Sequence, residues 1–195
     1  MSSEAAKFIT RVLNPFVCSL ATIFVAIFVQ QIPTVQKIAW FALFLLIASV
    51  PLGIFYLDYV KGSISSFWSP EGKERQKAFL AWVLVAFICT ALAYFLQAPR
   101  LITALGLVLL VLGAINLITA AVFKLSIHSE LVTLFVLTAI LAVSVSLIYL
   151  AVLIILVGWS RIYLKDHTLS QVSLGVLTAL LVVYLVLAFF GLATF

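Results

Sequence analysis

The 195-residue chain has two histidines, His128 and His167, and each lies in a short polar break with a cation and hydroxyls beside it. The first break reads Lys124-Leu125-Ser126-Ile127-His128-Ser129-Glu130. The second reads Ser160-Arg161-Ile162-Tyr163-Leu164-Lys165-Asp166-His167-Thr168-Leu169-Ser170-Gln171. Two imidazoles with flanking cations suit phosphoryl transfer. One histidine attacks phosphorus and forms a covalent intermediate, and the other protonates the leaving oxygen. Arg and Lys neutralise the phosphate oxygens, where charge accumulates in the transition state. Ser126 is placed to cap a helix whose amide groups would face an anion. No acidic cluster is available to hold Mg²⁺ and no metal-ligand spacing is complete, so the expected chemistry uses neither metal nor cofactor.

A plainer reading of the same residues is interfacial anchoring. Breaks between apolar segments are wet, and Lys, Arg, His and Ser collect there. Thr168-Leu169-Ser170-Gln171 fits a capping box in which Gln171 serves the helix start. Trp68, Trp159, Tyr59 and Tyr163 suit an aromatic belt at the membrane boundary.

The elements that must position these groups follow from charge spacing. The chain carries eleven Lys and Arg, six Asp and Glu, and 66% hydrophobic residues. A soluble domain has about 25% charged residues, so most of this surface must face lipid. Uncharged runs occupy 12–36, 38–57, 78–99, 101–123, 131–160 and 168–195. About 20 apolar residues cross a hydrocarbon core of roughly 30 Å. The runs are continuously apolar rather than alternating, which argues for helices over a barrel. The expected architecture is an all-α, polytopic transmembrane bundle forming one membrane-embedded domain over residues 1–195. Spans are predicted near 13–32, 37–57, 78–97, 101–122 and 168–193, with a polar tail over 1–11 and a loop across 58–77.

The run at 131–160 admits two readings. As one helix it measures about 45 Å. As a hairpin it gives two arms of about 20–25 Å each. No Gly or Pro marks a turn between 132 and 157, and periodicity does not choose. Net charge is +5, but the basic residues sit at the ends of apolar runs, which favours headgroups over nucleic acid as the partner. Cys18 and Cys89 lie inside apolar runs and read as small buried hydrophobes rather than as a disulfide.

Ser160-Arg161-x5-His167-x3-Gln171-Val172-x2-Gly175 resembles the third signature of the type-2 phosphatidic acid phosphatase family, S-R-x5-H-x3-D followed by V and G. It departs at Gln171, where the family has Asp. The run His167-Thr168-Leu169-Ser170-Gln171-Val172 is similar to the dolichyl-diphosphatase branch, where His-Thr-x-Ser-Gln-Val occurs. Leu125-Ser126-Ile127-His128 stands where P-S-G-H would be, 39 residues before His167. The first signature, K-x6-R-P, retains its Arg at Arg75, with Trp68 and Gln76 in the Lys and Pro positions. Lys124 is a replacement for the missing cation.

The resemblance implies an enzyme, a membrane phosphatase acting without metal on a lipid phosphate or isoprenoid diphosphate. His167 would be the phosphate-accepting nucleophile and His128 the acid for the leaving group. Gln171 would orient His167, and Arg161, Lys124, Ser126, Arg75 and Ser160 would bind phosphate. The alternatives are a family-like protein without catalysis, serving as a lipid-binding or assembly subunit, and a small transporter. The two histidines must then share one side of the membrane, so 129–160 is predicted to be a helical hairpin with its turn near Val143–Ser146. That topology puts nine Lys and Arg on the site's side and two, Lys37 and Arg100, on the other. Positive-inside counting makes the nine-charge side cytoplasmic, in a multi-pass protein of the plasma membrane.

Overall fold

The computed structural model describes residues 3–62 and 72–192. Trp68 and the serine-rich stretch before Pro70, both read from the sequence, lie outside the described residues. Among the described residues every regular element is a helix. In chain order these are α1 (Ser3–Val12), α2 (Pro15–Phe28), α3 (Thr34–Val60), α4 (Gly72–Phe95), α5 (Arg100–Thr119) and α6 (Ile127–Ala142). A 3-10 turn (Val145–Ala151), α7 (Val152–Tyr163) and α8 (Leu169–Phe189) follow. The all-α, polytopic expectation holds. Four of these stretches are long and apolar enough to cross a membrane, and a fifth follows if α1 and α2, bent by 41°, count as one span.

Two compact units emerge, Ile32–Phe123 and Met1–Gln31 with Lys124–Phe195. In the first of these, α3 and α5 each begin directly after a proline. Pro33 and Pro99 have φ of −54° and −48° with extended ψ, so each sets the chain's direction just ahead of its helix. Helix α4 begins at Gly72, earlier than the expected 78, because backbone bonding continues through Glu74 and Arg75 after hydropathy has fallen. Its far end closes in a Schellman turn: Ala98 N–H donates to Ala93 O and Gln97 N–H to Tyr94 O, with Gln97 at φ 54°. Helices α4 and α5 pack closely through small residues. A Cβ on Gly106 would lie 2.7 Å from Thr90 Oγ1, and one on Gly113 would lie 3.2 Å from Val83.

The other unit is organised around α6, against which α2, α7 and α8 pack. At 16 residues α6 is only about 24 Å long, short of the hydrocarbon core. It buries almost its whole length, from His128 to Ala139, so neighbouring protein covers what lipid would otherwise touch. The unit buries polar groups among its apolar ones and turns apolar faces outward. Glu130, Ser129, Thr133 and Ser160 are fully buried, while Leu177, Leu181 and Leu185 on α8 are more than half exposed. Such an inversion suits a hydrocarbon solvent and would be costly in water.

The predicted tail over 1–11 is instead helical from Ser3. Its apolar positions follow a helical stripe, and Ala6 is buried where α1 packs on α7. Ten residues with Glu4, Lys7 and Arg11 among them carry too little apolar length to register as a span, which is why hydropathy alone missed the helix.

Candidate functional site

The segment between the two histidine clusters goes out and returns. Helix α6 stops at Val143, and Ser144 takes an extended conformation (φ −166°, ψ 137°) in place of the absent Gly or Pro. The Ser144 hydroxyl accepts from Ser146 N–H at 3.2 Å, capping the 3-10 turn that starts the return. The hairpin therefore turns where the sequence reading put it. Both its ends lie together: Ser126 N–H donates to Gln171 O at 3.3 Å. Gly175 permits that approach, since a Cβ there would sit 2.9 Å from the Ser126 carbonyl oxygen.

With the ends joined, His128 comes within electrostatic reach of both Arg161 and His167. His128 is 9% exposed, in the first turn of α6. Arg161 occupies the last turn of α7 and is also buried. Helix α7 ends in a Schellman turn. Asp166 N–H donates to Arg161 O at 3.1 Å and Lys165 N–H to Ile162 O at 3.0 Å, with Lys165 at φ 60°. Glycine usually takes that left-handed position. A lysine there costs roughly 1–2 kcal/mol, a strain located between the cation and the nucleophile candidate.

That turn folds Asp166 back onto Arg161, with Oδ2 3.0 Å from Nη1. Ser160, one residue earlier, donates its only hydroxyl proton to Val157 O at 2.8 Å. Its oxygen then accepts from Thr10 Oγ1 at 3.1 Å, so α1 holds the end of α7 from outside the hairpin.

His167 lies between Arg161 and α8. Its Nδ1 is 3.1 Å from Gln171 Oε1. The same oxygen accepts from Thr168 N–H at 3.1 Å, completing a capping box in which Thr168 accepts from Gln171 N–H. An oxygen accepting from a backbone amide is an acceptor toward the ring as well, so Nδ1 carries the proton. In the neutral ring the lone pair then resides on Nε2. The structural and the functional readings of Gln171 thus meet in one atom.

Ser126 stands at the N-cap of α6 but makes no side-chain capping bond. It accepts from Ser129 Oγ at 3.0 Å instead, and this corrects the expectation of a serine-capped helix start. Lys124, two residues before it, is half-buried and makes no hydrogen bond or ion pair among the described residues. Arg75 belongs to α4 in the other unit, where its guanidinium lies 5.2 Å from the centroid of the Phe79 ring. The Trp159 and Tyr163 rings on α7 lie 5.1 Å apart, tilted by 30°.

Sequence reasoning passed over three residues. Thr10 lies in the segment read as tail. Asp166 is given no role by the sequence, although its five-residue spacing from Arg161 is the Schellman span. Glu130 is likewise given no role, yet it is a fully buried carboxyl in the first turn of α6. An acidic residue between Ser129 and a long apolar run is the signal that could have flagged it. Among the described residues no group of three or more His, Cys, Asp or Glu is placed to share a metal ion.

Comparisons with known protein families, with curated proteins and with solved structures returned no match.

Proposed function

We propose that this protein is an integral membrane phosphatase that hydrolyses a lipid phosphate or isoprenoid diphosphate through a phosphohistidine. The observation that carries the reading is the Gln171–His167 contact. It fixes the tautomer that leaves the lone pair on Nε2, in a histidine whose amide bonds the carbonyl of buried Arg161 and which lies within electrostatic reach of a second histidine. His167 Nε2 attacks phosphorus as the bond to the leaving oxygen breaks, and His128, which takes up a proton when the anionic phosphate binds, gives that proton to the oxygen. His128 then takes a proton from water, which attacks the phosphohistidine and releases phosphate. Arg161 and Lys124 neutralise the phosphate oxygens, and the Ser126 hydroxyl donates to them. Ser160 acts through the end of α7, which it ties to α1. Gln171 cannot supply the countercharge of an Asp, so the cationic ring formed when His167 takes up the phosphoryl group in the first step is stabilised by orientation alone.

The purified protein, given a prenyl diphosphate or a phosphatidate with chelator present, is expected to release phosphate, and His167→Ala is expected to abolish release. No release, or equal release from the variant, would defeat the enzyme reading and favour a lipid-binding or assembly role. The side bearing the histidines is assigned to the cytoplasm by its nine Lys and Arg, at the plasma membrane. A compartment reporter fused to the amino terminus tests this, and an external signal would overturn it.

A further inference from the structure

The ion pair between Arg161 and Asp166 is lopsided. The arginine side chain is 7% exposed and the aspartate 36%, with Nη1 and Oδ2 3.0 Å apart. Arg161 Nε is buried and has no hydrogen-bond partner among the described residues. A guanidinium presents five donors in a planar fork, and one carboxylate oxygen satisfies a single edge of it. The carboxylate can turn to water without loss of solvation, whereas the guanidinium cannot.

Backbone geometry delivers Asp166 to this position. Its amide donates to the Arg161 carbonyl at 3.1 Å, and the His167 amide donates to the same carbonyl at 3.3 Å. Lys165 at φ 60° forms the corner between them. The carboxylate arrives on a short turn rather than on a packed helix, so its side chain moves without shifting α7 or α8.

We propose that Asp166 is an internal anion occupying the Arg161 guanidinium, which a phosphate group must displace to bind. The inference rests on reading Arg161 as the phosphate ligand and adds what sets its affinity. A phosphate monoester or diphosphate offers more charge and more acceptor oxygens than one carboxylate, and it matches the fork on two edges. The displaced Asp166 side chain turns outward to solvent. The exchange keeps the buried cation neutralised at every stage, since a guanidinium left alone there would be strongly destabilising.

Asp166→Asn tests the exchange in the full-length protein in detergent micelles. Thermal unfolding is followed during titration with inorganic diphosphate, and separately with short-chain phosphatidate, at matched ionic strength. Without ligand the variant is expected to melt lower than wild type. Protection is then expected at about tenfold lower ligand concentration, the size of one charge-assisted hydrogen bond. The arm showing the shift tells whether free or lipid-borne phosphate uses the site. Asp166→Ser carries the same expectation and serves if the Asn variant does not fold. Protection of wild type with no tighter binding in either variant overturns the exchange and leaves Arg161 as a phosphate ligand. No protection of any protein by either probe overturns both.

Discussion

Both units bring two helices together over a glycine, yet what the glycine faces differs. In the α4–α5 pair, Gly106 looks onto a threonine hydroxyl, and three polar side chains of the pair donate to carbonyls of their own helices. Thr90 donates to Ala86 O, Asn116 to Leu112 O and Thr119 to Ile115 O, each one turn back. In the α6–α8 pair, Gly175 looks onto the Ser126 backbone. There the polar groups reach between elements: Ser126 to Gln171, and Thr10 to Ser160. The same packing device serves two ends. In one pair the threonines bond within their own helices and the helices associate by fit. The other uses close approach to bring distant parts of the chain into a single polar cluster.

Substitutions can break that contrast or sharpen it. The largest effect is expected at His167: the lost bond to Gln171 should cost only about 1 kcal/mol of stability, while changing the residue to Ala should lower phosphate release by at least about 10³-fold. A comparable loss from a substitution confined to the α4–α5 contact would erase the distinction. Gly175→Ala comes next. Its Cβ would meet a backbone oxygen that cannot turn aside, and roughly 1–3 kcal/mol of stability should be lost. Gly106→Ala meets a hydroxyl on a side chain with a second rotamer, so its cost should be under about 1 kcal/mol. Equal destabilisation of these two variants in detergent would show that the glycines are equivalent after all.

Ser144→Ala removes the cap of the hairpin and should cost about 1 kcal/mol, without altering the ligand concentration at half protection. The smallest effect has the opposite sign. Lys165→Gly relieves the left-handed strain, offset by unfolded-state entropy, for a net gain below about 1 kcal/mol. Lost stability on that change would mean the lysine side chain holds the turn by some other contact.

Apolar length made the spans legible. A run such as 101–123 maps onto α5 within a few residues because hydrocarbon thickness sets its length. Element ends were less legible, since backbone bonding does not stop where hydropathy does: α3 runs on to Val60 through Asp58, and α4 starts among Lys73, Glu74 and Arg75. The hairpin was reached by a chemical demand, that two histidines meet, and its turn was invisible to propensity because Ser144 supplies the cap that Gly or Pro would advertise. At the candidate site, His128, His167, Arg161 and Gln171 were readable from type and spacing. Asp166 and Thr10 were not, because each acts through a contact that only the Schellman turn or the α1–α7 packing creates.

The shared oxygen of Gln171 has a genetic consequence. It receives both the helix-start amide and the imidazole proton, so one codon governs how firmly α8 begins and which ring nitrogen keeps the lone pair. A change that loosened the histidine would fray the helix in the same step, and a change that strengthened the cap would re-aim the ring. Adaptation of this protein to new temperatures must therefore proceed around that residue, through Thr168, Asp166 or the turn at Lys165.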